Sequence, residues 1–214
     1  MDPEETTNDI VLMMRVRTGD ASAFEVLFNR YQRPLLSFFY GLSHNPSHAR
    51  DLSQETFLRV WKIRRRYQAS GTFPAYLFAI ARMIWLEYCR QQQKTWRLGA
   101  RQGEEALNTL AAGCDACPET RASRLELRDQ IHAALDELPE EQRIVFVLRS
   151  IEGLSLEDIA NILDCPVNTV RSRKILAVKK LRYLLASWME SDPKPDSASA
   201  AGAGRNGRRE ARRT

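Results

Sequence analysis

Residues 153–182 read GLSLEDIANILDCPVNTVRSRKILAVKKLR, and this stretch decides the fold. Gly153 suits a helix end, and Ser155 begins the next helix with Asp158 three residues on. Leu154 and Ile159 stand at the two positions of a hydrophobic staple. With Asp where Glu or Gln usually reaches back, the capping box is expected to be weaker than the optimum. A short turn, Asp164-Cys165-Pro166, leads into a longer helix, and small Ala160 lets the two helices approach closely. The pattern is that of a helix-turn-helix.

At roughly 100° per residue, Val170, Ala177, Leu181 and Leu184 share one face of the longer helix. Asn168, Ser172, Ile175 and Lys179 point away from it, with Arg171 and Arg182 at the flanks. The far face suits the major groove of DNA. Arg171 offers the bidentate fork that reads guanine, Asn168 can read adenine, and an outward Ile175 can pack on a thymine methyl. Arg173 and Lys174 lie nearer the apolar face and are assigned to phosphates or to snorkelling over the core rather than to bases. A helical hairpin with a solvated basic face is the plainer alternative; the staple, the tight turn and the outward Asn-Arg-Ser set favour DNA.

Working outward, helical periodicity recurs along the chain, while alternating runs rich in Val, Ile and Thr are nearly absent, so an all-α protein is expected. A first helix is expected to start after Asn8-Asp9 and stop at Gly19. Asp20 caps a second, which runs through Phe24, Leu27 and Phe28 toward Phe39 and is liable to kink at Pro34. A turn from Gly41 to Pro46 precedes a third helix to about Arg66, and a fourth spans Pro74 to Trp96. The later helices are placed near Arg124–Glu137, Pro139–Ile151, Leu156–Leu163 and from Pro166 or Val167 to Trp188. Between the two groups, Gly, Ala and Glu content with a Cys-Pro break reads as a flexible linker. The expected organisation is a first domain over 1–97, a linker over 98–123, a second domain over 124–188 that ends in the helix-turn-helix, and a disordered basic tail over 189–214.

Composition narrows the partners. The 214 residues are 43% hydrophobic with a formal charge of +5, which suits packed structure and mildly favours an anionic partner. From Ser191 onward six Lys or Arg stand against three Asp or Glu, so the tail carries +3 of that excess. No stretch approaches the roughly 20 apolar residues of a membrane helix, and MDPEETTNDI is acidic where a signal peptide is basic, so a cytoplasmic protein is expected. Four cysteines are too few and too scattered for a disulfide framework. Cys114-x-x-Cys117 supplies half a zinc set at most and is read as incidental, and His44 and His48 are read as surface turn residues. Without a phosphate-binding Gly loop, a Cys-His nucleophile pair or a carboxylate dyad, no catalytic residue, metal, cofactor or small-molecule substrate is expected.

In the third helix Ala49, Leu52, Val60 and Ile63 form the buried face, with Asp51, Gln54, Glu55, Leu58 and Lys62 opposite. A leucine inside an acid and amide cluster gives the apolar centre and polar rim of a protein-binding patch; a solvated face with one stray leucine is the alternative. In the fourth helix Leu77, Ile80, Ala81, Ile84 and Tyr88 form the buried stripe, bordered by Arg82, Trp85, Cys89, Gln92, Gln93 and Trp96. Aromatics beside cations suit single-stranded nucleic acid, with Trp85 the favoured base contact, although tryptophans at helical spacing are more often core.

Four stretches in order, NDIVLMMRVRTGDASAFEVLFNRY, DLSQETFLRVWK, FPAYLFAIARMIWLEYCRQ and ALDELPEEQRIVFVLRSIEGLSLEDIANILDCPVNTVRSRKILAVKKLR, resemble the extracytoplasmic-function sigma factors, the small two-domain branch of the bacterial housekeeping-sigma superfamily. The resemblance implies an alternative sigma factor that binds core RNA polymerase and promoter DNA. It implies that the third helix docks on the clamp helices of the polymerase's largest subunit through Asp51, Gln54, Glu55, Leu58 and Arg59. The loop around Tyr67 to Thr72 and the fourth helix, through Arg82, Trp85 and Arg90, would engage the minus-ten element as it melts, with a flipped-out base entering a protein pocket. The helix-turn-helix would read the minus-thirty-five element through Arg149, Arg171 and Ser172, within a DNA-facing set that includes Asn168, Thr169, Arg173, Lys174 and Ile175. An anti-sigma partner is implied as well. RRRYQASGT and Trp85 do not define a target sequence, and the tail matches no family motif. The rival from the residues alone is a freestanding helix-turn-helix regulator, which would bind duplex DNA as a symmetric dimer.

Overall fold

Asp20 accepts a hydrogen bond from the Ala23 N–H at 3.0 Å, Asn45 from those of Ser47 and His48, and Ser155 from that of Asp158 at 2.9 Å. Each closes an orphan donor at a helix start. In the computed structural model the backbone is described over residues 3–97 and 118–191, and the side chains over 9–94 and 126–186. The helices are α1 (Pro3–Arg17), α2 (Ala21–Ser43), α3 (Pro46–Ile63, extended by a 3-10 turn over Arg64–Arg66), α4 (Phe73–Arg97), α5 (Pro118–Asp136), α6 (Glu140–Phe146, running into a π-helical turn over Val147–Ile151), α7 (Leu156–Leu163) and α8 (Val167–Ser191). No strand occurs among the described residues.

The N-terminal half packs α1, α3 and α4 around α2. Phe38 and Phe39 are fully buried, and Phe38 meets the Phe78 ring edge-on at 5.3 Å. In the C-terminal half Ile159, Ile162 and Leu163 of α7 are buried with Val170 of α8, while Ala134, Leu135 and Leu138 close over Ala177 and Leu181. Gly153 takes φ +71°, the conformation that lets the chain turn from the π-helical segment into the Ser155 cap. Leu154 and Ile159, the expected staple, are both buried.

The halves are not held apart. A single apolar cluster runs from Leu12 to Val170, with α4 lying against α7 and α2 against the π-helical turn. At the centre of that seam a Cβ on Gly41 would stand 3.3 Å from Val147 Cγ2, so the glycine admits the second half's closest approach.

The structure corrects several expectations. Gly41 lies inside α2, and the chain turns only at His44, in the left-handed region at φ 53°. Tertiary packing against Val147 overrides the usual helix penalty of glycine, roughly 1 kcal/mol. α1 begins at Pro3, ahead of Asn8-Asp9, because Asp9 spends its buried carboxylate on Arg30 and Tyr31 of α2 and does not cap a helix. α2 continues through Pro34. His44 and His48 are not surface groups: His44 stacks on His132 at 4.2 Å, and His48 Nδ1 shares a hydrogen bond with the Tyr88 hydroxyl. α5 begins at Pro118, so 118–123 of the expected linker are helical. The rest of the linker, with Cys114 and Cys117, and the tail beyond Ser191 lie outside the described residues.

Candidate nucleic-acid and polymerase interfaces

α3 turns Ala49, Leu52 and Val60 inward and leaves Asp51, Gln54, Leu58 and Lys62 exposed, with Leu58 53% accessible. Leu58 and Gln54 rim an apolar groove between α2 and α3 lined by Ala21, Phe24, Phe28, Phe57 and Trp61. The Phe24 ring lies 5.1 Å from Trp61 and the Phe28 ring 4.7 Å from Phe57, which gives the groove a rigid aromatic floor. Sequence reasoning missed this floor. Phe24 and Phe28 stood in the sequence only as residues along the second helix, and nothing local shows that α3 leaves them half open. Glu55 and Arg59 are partly buried: Arg59 Nη1 donates to both Glu87 carboxylate oxygens at 3.0 Å, which ties α3 to α4.

Along α4 the expected stripe is buried at Leu77, Ile80, Ala81 and Ile84, while Arg90 is exposed. Trp85 departs from expectation. It is only 4% accessible, its ring stacks on Tyr88 at 5.6 Å, and its indole N–H is buried without a partner. α4 has neighbours on two sides, α3 and α7, so its aromatic border packs inward and offers no open stacking surface. The side chain of Trp96 lies outside the described residues. The Tyr67–Thr72 loop faces the turn of the helix-turn-helix across a polar cleft that includes Gln68, Ser70, Asn161 and Asp164. Burial first, and Asp9's charge second, raise the Tyr67 phenol above its ordinary range.

On α8, Asn168, Arg171, Ser172, Ile175 and Lys179 are exposed, Ile175 to 60%. Thr169, Arg173 and Lys174 are half-buried. The Ser172 hydroxyl donates to the Asn168 carbonyl at 3.0 Å, and Arg149 Nη1 to the Leu154 carbonyl at 2.7 Å, so Arg149 braces the approach to α7. Asp158 does not reach back to complete a capping box. Its carboxylate accepts from the Ser155 hydroxyl at 2.8 Å and from the Thr72 hydroxyl of the opposite half at 2.7 Å. Glu141 accepts from Arg82 at 3.0 Å and from Arg173 at 3.1 Å, one cation from each half.

Titratable groups are concentrated along the seam. Burial pushes Glu152 up to about 7, with the Ser37 hydroxyl of α2 opposing the shift. Burial, then the neighbouring His44 ring and Arg128, bring His132 down to about 4, while Asp129 and Asp136 oppose. Burial also lowers His44, against Asp136 at 3.2 Å. Burial and Glu140 push the Cys89 thiol up to about 12, which leaves it unreactive. A carboxyl raised in the packed state contributes stability that is lost as pH rises from 4.5 through 7. Histidines lowered in that state remove stability as pH falls below 6.5. Between pH 6.5 and 8 the Glu152 effect dominates: the wild type is expected to lose roughly 1 kcal/mol over that range, and Glu152→Gln to stay level. Thermal unfolding at half-unit pH steps checks this; parallel curves for the two proteins would remove Glu152 as the source.

The exposed Asn168, Arg171, Ser172 and Ile175 on the second helix of a helix-turn-helix are the arrangement expected of a DNA-binding factor. Residues 27–95 match the family model Sigma-70 region 2, and residues 128–181 match Sigma-70, region 4. The chain is 34% identical over 173 residues to the ECF RNA polymerase sigma-E factor of Escherichia coli, covering 79% of this chain and 90% of that one. It is 31% identical over 173 residues to the RNA polymerase sigma-H factor of Pseudomonas aeruginosa, covering 77% and 87%. Among solved structures, the sigma factor RpoE in complex with the anti-sigma factor NepR from Bartonella quintana superposes with a TM-score of 0.61 at 25% identity, covering 76% of this chain and 96% of that one. CnrH in complex with the cytosolic domain of CnrY shares the fold, with a TM-score of 0.62 at 24% identity, covering 84% and 98%.

The chain belongs to the extracytoplasmic-function RNA polymerase sigma factors. It is an alternative sigma factor, a transcription-initiation protein, and the freestanding regulator reading is not favoured. No helix among the described residues is long and apolar enough to cross a membrane, and no cluster of His, Cys, Asp and Glu among them could hold a metal ion.

Proposed function

We propose that three surfaces divide the work of initiation. The observation that carries this reading is the recognition helix: α8 presents Asn168, Arg171, Ser172 and Ile175 to solvent on one face while Val170 and Ala177 anchor the other. That face reads the minus-thirty-five element, with Thr169, Arg173, Lys174 and Arg149 along the phosphates. The loop from Tyr67 to Thr72, with Arg82, Arg90 and Trp85 of α4, engages the minus-ten element, and Trp85 must leave its buried stack on Tyr88 before a base can reach it. Asp51, Gln54, Glu55, Leu58 and Arg59 dock on the clamp helices of the largest polymerase subunit, Leu58 entering with the aromatic groove beside it.

The domains that do this are 1–97 and 118–191, the second opening on α5, with 98–117 joining them and, after Ser191, a basic tail whose attraction to DNA is nonspecific and weakens with salt. The protein works in the cytoplasm and catalyses no reaction of its own. The related RpoE structure from Bartonella quintana holds an anti-sigma factor, which supports an anti-sigma factor for this chain too.

Run-off transcription from a promoter library with core polymerase, with and without the protein, tests this reading. Protein-dependent initiation is expected; tight binding to a palindrome without initiation would sink it. Within that assay Arg171→Ala is expected to cost about 1–3 kcal/mol at promoters with guanine at its position and to relax preference there. A uniform loss across promoters would reassign Arg171 to the phosphates.

A further inference from the structure

We infer that Arg17, Arg65 and Arg66 form a phosphate track for the single strand of promoter DNA that leaves the minus-ten loop toward the start site. This rests on the assignment of the Tyr67–Thr72 loop and α4 to the minus-ten element.

The sequence places three arginines in a row, and the 3-10 turn over Arg64–Arg66 decides what each can do. In such a turn positions three apart eclipse, so Arg64 and Tyr67 share one side while Arg65 and Arg66 take the others. Arg64 is spent on the protein itself: its guanidinium lies 4.2 Å over the Trp61 ring, and Nη1 donates to the Trp61 carbonyl at 2.7 Å. Tyr67 is 2% accessible, and its backbone N–H donates to the Arg64 carbonyl at 3.1 Å. Both ends of the turn are pinned, and Arg65 and Arg66 are held out in solvent. α1 packs against this turn and carries exposed Arg17 in its last turn.

These three cations are unanswered by carboxylates. Arg15 pairs with Asp20 at 2.8 Å and Arg59 with Glu87 at 3.0 Å, whereas Arg17, Arg65 and Arg66 form no ion pair among the described residues. Asp9, whose charge reaches Tyr67, is buried and already shared by Arg30 and Tyr31. Neighbouring like charges without a counter-ion repel, and a bound polyanion removes that cost.

Position identifies the anion. The turn runs directly into the minus-ten loop at Tyr67, and α4 follows on the loop's other side. A strand that melts over α4 and gives up a base to the loop leaves over the turn and the end of α1. What it presents there is a row of phosphates. Tyr67, the adjoining aromatic, is buried and offers no ring for stacking, so the track reads charge and not base. The contact is therefore independent of sequence and serves to hold the opened strand.

The test uses holoenzyme assembled from core polymerase and the full chain, with a promoter selected in the run-off library and presented as a forked fragment. Its non-template single strand either stops at the end of the minus-ten element or continues to the start site. The Arg65→Ala, Arg66→Ala double variant is expected to bind the longer fork about tenfold more weakly, with the slope of log affinity against log salt reduced by about 1.4, since each single-strand phosphate contributes about 0.7. Arg17→Ala is expected to reduce that slope by about 0.7. On the shorter fork these proteins should match the wild type. Arg65→Lys with Arg66→Lys, which keeps the charge, should retain most of the affinity for the longer fork. Equal losses on the two forks would overturn the track by placing the arginines elsewhere on the DNA, and weaker assembly with core polymerase would give them to an acidic polymerase surface instead. Unchanged affinity and slope on the longer fork would reduce them to a solvated basic face. Absence of any initiation by the wild type in the run-off assay would instead mark failure of the functional reading on which the track rests.

Discussion

Asp9→Ala is expected to cost about 3 kcal/mol of stability and to lower the melting temperature by roughly 6–12 °C, the largest effect of any single substitution outside the apolar core. Asp9 is fully buried on α1 and accepts hydrogen bonds from Arg30 and from the Tyr31 hydroxyl, both on α2. An ionised carboxylate in such a place is tolerated only because both donors meet it. Truncation leaves the hydroxyl of a 4% accessible tyrosine and a half-buried guanidinium without that acceptor. The damage travels toward function, because the Tyr31 ring abuts Phe73 at 5.2 Å, at the start of α4, and Asp9's charge is felt at Tyr67 in the neighbouring loop. A double-mutant cycle with Tyr31→Phe checks the mechanism. Removing both partners should cost less than the sum of the single changes. Strict additivity, or a loss below about 1 kcal/mol for Asp9→Ala, would show that this carboxylate is not the tie between α1 and α2.

That carboxylate also marks the boundary of what the sequence discloses. Signals that act within one helical turn were legible: Asp20 and Ser155 cap helices as their spacing predicts, Pro46 opens α3, and Gly153 takes the left-handed conformation that ends the π-helical segment. Facing was legible as well, since Leu58 and Ile175 are exposed opposite buried Val60 and Val170. Residues whose roles depend on a partner far along the chain were misread. Asp9 looked like a cap because its partners lie 21 and 22 residues away, and Gly41 looked like a turn because Val147 is invisible to local pattern. His44 looked exposed because His132 belongs to the other half. The periodicity of α4 could not show that both its flanks are covered, and so Trp85 was placed on the wrong side of the boundary between core and surface. The seam between the halves is the common origin of the Gly41 and His44 differences; it is a tertiary fact with no local signature.

Leu58→Glu is expected to weaken binding of core polymerase by at least thirtyfold while leaving the melting temperature within about 2 °C of the wild type. The separation of the two effects follows from where the side chain sits. Leu58 is 53% accessible on α3 and contributes little to the core, so a charged replacement there perturbs folding only slightly. At the rim of the groove floored by Phe24, Phe28, Phe57 and Trp61 the same charge has a different consequence. A partner helix that covers the groove must strip water from the new carboxylate, a cost that the exposed Lys62 one turn on offsets only by a few tenths of a kcal/mol, while Arg59 is already held by Glu87 and Glu55. Leu58→Met, which keeps the apolar volume, should retain most of the affinity, and this distinguishes a packing contact from a merely solvated position. Binding measured by fluorescence anisotropy of labelled sigma factor with purified core polymerase decides the matter. Wild-type affinity for Leu58→Glu would move the polymerase interface off this face of α3. Equal losses for the Glu and Met variants would show instead that the shape of leucine matters more than its removal from water.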